Sequence, residues 1–272
     1  MPTSFFFIKF VCNGSLHFKF IILKRVFISQ SNYIPWRGYF DAINLVDEFI
    51  VYDDVQYTKN DWRNRNRIKT ANGITWLSIP IRIKGRYPQK IKEAEICNPH
   101  WAAKHWKALQ NNYSRTPYFK EYAPLFEQLY LNKNYQYLTE VNYLFIKLIC
   151  DILEIKTPIN YSTNFDLKGN NKTERLLSLC KSVGATDYHS APAAKNYLDE
   201  QLFKNENIKV HYFNYDNYEP YSQLYGKFFN YLSVLDLIFN EGAASKKYFL
   251  SVADKQSDRN LKYKAFIDDV SI

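Results

Sequence analysis

The chain has 272 residues, 46% of them hydrophobic and 18% aromatic, which excludes a disordered chain and leaves room for one large domain or two small ones. Its formal net charge is +9, so anionic partners are favoured: nucleotides, phosphorylated sugars, nucleic acid or acidic membrane surfaces. Most of its Lys is scattered and reads as solvated helix faces, and the exception is a cluster from Arg63 to Lys69.

Residues 1–23 are apolar, but Lys9, His17 and Lys19 interrupt them, and the extension they open is taken to run to residue 24. No run approaches the ~20 apolar residues of a membrane-spanning helix, and no signal-peptide cleavage pattern is clear. The segment reads as an extension that the fold does not require, and Met1 is the only methionine in the chain. A membrane-associating segment is the alternative.

The main body then alternates strand and helix. Strands are predicted over 26–29 and 48–52, with a helix over 36–46 between them. A hairpin follows, its arms 62–70 and 74–83 flanking Ala71-Asn72-Gly73. In the second arm Leu77, Ile79, Ile81 and Ile83 alternate with polar residues, and Pro80 favours an edge strand. Helices are predicted over 101–113, 120–131 and 138–155. A strand over 158–161, a helix over 172–183 closed by Gly184, a strand over 186–190, a helix over 193–204 and a strand over 209–214 complete the pattern. A last helix over 232–239 precedes a polar tail, 243–272. This order predicts an α/β fold with a Rossmann-like parallel sheet, an inserted β-hairpin and a helical cap over about 100–155, all in one domain spanning 25–242.

Five places could carry chemistry. The turn after the first strand supplies Gln30, Asn32, Tyr33, Trp36, Arg37 and Tyr39 where ligands sit in open α/β sheets. Packed aromatics around a simple Pro35–Gly38 turn would explain the same residues. Asp53 and Asp54 follow the second strand and could hold a hydroxyl or an amine, or only cap a turn. A metal would need more oxygen ligands, and none is assigned. Arg63, Arg65, Arg67 and Lys69 would share one face of a strand at ~7 Å steps, with Asn64 and Asn66 opposite. Such a ladder suits phosphate or carboxylate, though an exposed face paired with Asp or Glu would also explain it. His105, on a helix, is the best candidate proton shuttle if a partner reaches it, although a lone helical His is more often structural; Asn112 lies two turns on. Finally Lys172, Glu174 and Arg175 open one helix, and Ser190 and Lys195 stand where a strand meets the next. Helix capping by Thr173 and Ser190 is the plain alternative there. The cysteines form no CxxC or zinc spacing and point to a reducing, cytoplasmic setting. No P-loop, GxGxxG or GxSxG is present.

The stretches QSNYIPWRGYF, VDEFIVYDDVQYTKNDWRNRNRI (which adds Gln56 to the candidates), NKTERL and GATDY, with the loop before NYLD, resemble the WbqC-like family. Its members occur in bacterial loci for O-antigen and other surface polysaccharides, which implies a role in glycan or modified-sugar biosynthesis. Ser31 stands where the family commonly has Pro, and Ala193-Ala194 replace a more glycine-rich loop. More remotely, Trp36-Arg37-Gly38-Tyr39 is similar in placement to the His-x-Gly-His turn of nucleotidyl transferases and pantothenate synthetases, with both histidines replaced. The 190–198 loop is similar to their phosphate-binding Ser/Lys loop. The resemblance fixes no reaction; the leading expectation is transfer of an activated acyl, amino-acyl or nucleotidyl group to or from a small sugar substrate. Arg65 and Arg67 would clamp phosphate, Gln30 and Tyr33 would orient the ligand, and Asp54, His105 and Lys195 would serve the reaction. The cofactor is left open between ATP and another nucleotide-activated donor. The rivals are a non-catalytic binding protein of the same pathway and a binder of single-stranded nucleic acid. The nucleic-acid reading ranks last because the cations gather in one hairpin.

Overall fold

The computed structural model describes residues 4–12, 15–86 and 88–252. Nine strands and seven α-helices are assigned there, and the described chain divides into two compact units. One holds the parallel sheet and comprises residues 1–29, 46–52 and 157–214. The other comprises 30–45, 53–156 and 215–272 and holds the hairpin, most of the helices and most of the candidate site residues.

The sheet unit begins with two strands that form their own sheet among the described residues, β1 (Ser4–Cys12) and β2 (Ser15–Leu23), antiparallel from Ser4 opposite Leu23. The five-stranded sheet is built from β3 (Arg25–Ser29), β4 (Glu48–Val51), β7 (Ile159–Tyr161), β8 (Asp187–Ser190) and β9 (Lys209–Tyr212). Its order is β7-β4-β3-β8-β9 and every pairing is parallel. The first strand of the series lies at the centre and the order reverses beside it, as in a doubly wound Rossmann-like sheet. Buried Phe27 and Ile28 pair with Phe49 and Ile50, and Val26 and Val51 extend the strands' continuous apolar runs of the kind parallel sheets need. Helix α5 (Lys172–Ser182) starts on Asn171, whose side chain accepts from the Glu174 N–H. It ends at Gly184, whose φ of +67° fits the left-handed C-terminal cap. The helix expected over 193–204 is broken. Residues Pro192–Asn196 form a 3-10 turn, and α6 (Glu200–Asn205) starts afresh on Asp199, whose carboxylate accepts from Gln201 N–H. The Asp199 N–H itself donates to Thr173 Oγ1 at 3.3 Å, so a side chain outcompetes the helical bond there.

The second unit contains α1 (Arg37–Leu45), the hairpin β5 (Arg65–Thr70) and β6 (Gly73–Ser78), α2 (Trp101–Tyr113), α3 (Phe119–Leu131), α4 (Leu138–Ile152) and α7 (Val234–Glu241). Its core is aromatic: Tyr33, Trp106, Phe126, Tyr130, Phe145 and Phe239 are buried, and Tyr130 meets Phe145 with ring centroids 4.8 Å apart. Helix α4 stops three residues short of expectation because Glu154 turns to φ +50°. The hairpin arms are also shorter than their sequence pattern. Asp61 accepts from Thr58 Oγ1 and Trp62 N–H and folds residues 58–64 into a turn, so Arg63 leaves the strand. At the other end Pro80 has no N–H for the ladder, and Ile81 makes only an isolated bridge to Ile96. The tail expected from 243 starts later. Phe249 is buried, and Asp41 accepts from the N–H groups of Leu250 and Ser251 at 2.8 and 2.9 Å. Residues 253–272 of that tail lie outside the described residues.

Candidate functional site

The turn at 30–36 is held in a conformation its residues do not favour. Ile34 precedes a proline and is β-branched, yet its φ is +36°. Strain of this kind costs about 1–3 kcal/mol and persists only where the surroundings over-determine it. Here Asn66, from β5, donates to the carbonyls of Tyr33 and Ile34 at 3.1 and 2.9 Å. Tyr33 N–H donates to Trp62 O and Val234 N–H to Pro35 O, so neighbours grip the turn on both sides. Asn66 is thus a clamp on the backbone.

Asp53 sits behind the same turn, 3% exposed, and accepts from Ser31 N–H at 2.8 Å, Ser31 Oγ at 2.7 Å and Thr139 Oγ1 at 2.7 Å. Burial pushes its pKa up, and these hydrogen bonds and nearby Arg63 pull it back. Ser31 earns its place: a proline there would remove both its N–H and its hydroxyl from Asp53. Asn142 donates to Ser31 Oγ and to Arg63 O, joining α4 to the network. Asp54 pairs with Lys92 at 2.6 Å. Tyr39 is buried and donates to the carbonyl of Gln30 at 3.0 Å.

His105 is 6% exposed and lies against Tyr33 and Trp101. Its Nδ1 is 2.9 Å from Tyr33 Oη, which is 2.6 Å from Tyr130 Oη, and the Ser78 carbonyl accepts from the ring. The chain of donors therefore runs from Tyr130 through Tyr33 to His105 and on to Ser78. Burial pushes the imidazole down to about 4, so it is neutral at physiological pH. This geometry suits locking the turn to α2 and β6.

The hairpin carries a different kind of surface. Register sets Arg65 opposite Ser78, Arg67 opposite Trp76 and Lys69 opposite Ile74, all on one face, while Asn66, Ile68 and Leu77 are buried on the other. Trp62 and Trp76 are exposed, and their rings lie 5.3 Å apart. The Arg65 guanidinium lies 4.2 Å over Trp76, and that of Arg67 5.3 Å from Trp62 and 5.6 Å from Trp76. Arg67 also donates to Tyr231 O at 3.0 Å. The Nε atoms of both arginines are buried with no acceptor among the described residues. The other two rungs are occupied. Arg63 donates to Asn32 Oδ1 and pairs with Asp61. Lys69 is buried and its Nζ donates to Gln223 Oε1 and the carbonyls of Gly226 and Lys227. Asn64 is buried and donates to Ile79 O, Gln56 is exposed beside a bridge to Lys90, and Asn112 donates to Ala108 O within its helix.

A tyrosine-rich segment, 215–232, has no helix or strand and runs beside Lys69 and Arg67. Asp236 anchors it, accepting from Tyr113 and Tyr221 hydroxyls at 2.9 and 2.7 Å, and burial pushes that carboxyl up to about 6. Arg37 is equally committed: it donates to Glu219 O and Asn230 Oδ1 and stacks on Tyr218 at 4.6 Å. Trp36 packs against Tyr215, Tyr218 and Tyr231.

The remaining candidates belong to the sheet unit. Glu174 accepts from Asn170 N–H and Asn171 Nδ2, Arg175 reaches Gly169 O, and Ser190 Oγ lies 3.1 Å from Tyr188 Oη. Lys172 and Lys195 lie over Tyr197 and Tyr212. Asn171 rather than Thr173 is the cap of this helix. Sequence reasoning missed Trp62, Trp76, Tyr231 and Asp236. Register through the Asn-Gly hairpin would have found Trp76 opposite Arg67.

A family model for the WbqC-like protein family matches residues 30–248. The chain belongs to the WbqC-like family. Residues 30–248 include every side chain described above, from the Ile34 turn to Asp236. A relative from Mycobacterium tuberculosis (strain ATCC 25618 / H37Rv), named "Uncharacterized protein Rv1507c", is 48% identical over 226 residues, which is 83% of this chain and 97% of that protein. No solved structure matches this WbqC-like chain.

Proposed function

We propose that this protein serves bacterial surface-glycan biosynthesis by binding a small anionic, ring-bearing activated donor on the hairpin ledge. There it transfers an acyl, amino-acyl or nucleotidyl group to or from a sugar substrate. The observation that carries this reading is the pair Arg65 and Arg67, stacked on exposed Trp62 and Trp76 with unpaired Nε donors. Bidentate arginines recognise phosphate or carboxylate, and exposed indoles offer a face to a base or a sugar. The Nη groups of Arg65 have no acceptor among the described residues and Arg67 uses one of its two, so a bound oxyanion can accept from the remainder. The Ile34 turn and its Asn66 clamp hold the backbone behind this ledge. The free thiols of Cys97, Cys150 and Cys180 fit a cytoplasmic setting. Among the described residues no helix is long and apolar enough to cross a membrane.

Calorimetric titration with nucleotides, sugar nucleotides and acyl adenylate analogues tests the reading. Arg65→Ala should weaken the best ligand at least tenfold, the loss of one charge-assisted pair. Unchanged affinity for every ligand in Arg65→Ala and Arg67→Ala would sink it.

A non-catalytic binding protein is the second reading. It is favoured by the commitment of Asp53, Asp54 and His105 to buried or paired partners. Mass spectrometry of donor and acceptor mixtures decides between the two: a new covalent product marks the enzyme, and tight binding without one marks the carrier.

A further inference from the structure

The cationic ladder is shorter in the folded protein than in the chain. Of its four rungs, Arg63 is spent on Asn32 and Asp61, and Lys69 on Gln223 and two carbonyls. Two guanidinium groups remain. They stand on one strand face two residues apart, a ~7 Å step. Arg65 has no hydrogen-bond acceptor among the described residues, and Arg67 has one, Tyr231 O, on a single nitrogen. The Arg65 guanidinium lies 4.2 Å over Trp76 and that of Arg67 5.3 Å from Trp62, so an indole bounds one side of each. One phosphate or carboxylate can satisfy one such fork. Two adjacent phosphates can engage both at once. A third phosphate finds no unengaged rung of the ladder, because Arg63 and Lys69 on either side are already bonded.

Resting on the donor-binding reading above, we infer that the ledge selects a diphosphate ester over the corresponding monophosphate or triphosphate. Arg65 and Arg67 take one phosphate each, and the group attached to the diphosphate lies against Trp62 and Trp76. A nucleoside diphosphate derivative and a prenyl diphosphate-linked sugar share this chemistry. They differ in what they place on the indoles: a planar base or an aliphatic chain.

The test is calorimetry on the full chain, in metal-free buffer, with UMP, UDP and UTP, the adenosine and guanosine sets, inorganic diphosphate and geranyl diphosphate. UDP, ADP or GDP should bind about tenfold or more tightly than its monophosphate, the gain from one further charge-assisted pair, with no further gain for the triphosphate. Arg65→Lys and Arg67→Lys keep the charge and remove the fork. In each, the diphosphate preference should fall to within about threefold while the monophosphate loses little. Unchanged circular dichroism and melting temperature would establish that these variants fold. A nucleoside diphosphate tighter than geranyl diphosphate assigns the nucleotide source, and the reverse assigns the prenyl source; either supports the diphosphate class. A monophosphate as tight as the diphosphate, or a triphosphate tighter by a further tenfold, overturns this inference and leaves donor binding standing. No binding by any of these, with retained binding of a carboxylate-bearing acyl donor, overturns it likewise. No binding by any ligand overturns both.

Discussion

Single side chains in the helical unit are held by opposing electrostatic demands, and pH separates them. His105 is lowered from 6.5 to about 4, so the native state takes up its proton later than the unfolded chain does. Its contribution to stability is present above 6.5 and is lost as pH falls toward 4. Asp236 is raised from 3.8 to about 6, which gives the reverse: its contribution is present below 3.8 and is lost as pH rises through about 6. Each is worth on the order of 3 kcal/mol over its full window. In urea denaturation, His105→Gln should gain on the wild type as pH falls from 6.5 to 4, and Asp236→Asn should gain as pH rises over 4 to 6.5. Differences flat in pH would remove the buried environments assigned to both. Asn66 tests the clamp. With both carbonyl partners orphaned, Asn66→Ala should cost about 1–3 kcal/mol, read from the same denaturation curves. A neutral result would mean that the Ile34 turn stands without it.

At the scale of elements, the hairpin and α1 show how local pattern and tertiary demand meet. The Asn-Gly signal and the alternation of Arg65, Arg67 and Lys69 with Asn66 and Ile68 were legible in the sequence, and the register agrees with both. What alternation does not contain is which outward residues are later covered. Lys69 is buried because the distant segment 223–227 folds over it. Arg65 makes no ion pair or hydrogen bond among the described residues, although the Asp61 carboxylate lies near enough for its charge to be felt. Helix α1 begins beneath the Trp36 ring, and a Cβ on Gly38 would stand 2.3 Å from that indole. Gly38→Ala should therefore displace Trp36 from Tyr215, Tyr218 and Tyr231, lower the melting temperature and change the tryptophan emission. An unshifted spectrum with unchanged stability would show that the ring has room to move. Helix α6 and the early stop of α4 were not legible for a related reason. Each depends on one residue, Asp199 or Glu154, choosing a side-chain bond or a left-handed turn over one more helical residue.

At the scale of the whole molecule, the family match starts at residue 30 and the parallel sheet at Arg25. Among the described residues, strands β1 and β2 form a two-stranded sheet of their own. A protein lacking residues 1–23 should therefore keep its melting temperature within a few degrees, equivalent to less than about 1 kcal/mol, and keep its ligand. Loss of folding on that deletion would make the hairpin part of the structure.

The α/β class, the strand series and the motif positions follow from the sequence alone, because they rest on periodicity and on neighbours a few residues apart. Which polar residues are structural and which remain available was decided only by the tertiary structure. Asp53, Arg37, His105 and Lys69 all read as site residues in the sequence, and in the fold partners from 22 to 182 positions away engage them. Hydrogen-bond capacity is finite, and long-range contacts determine where it is used. Two arginines on two tryptophans are what that accounting leaves over.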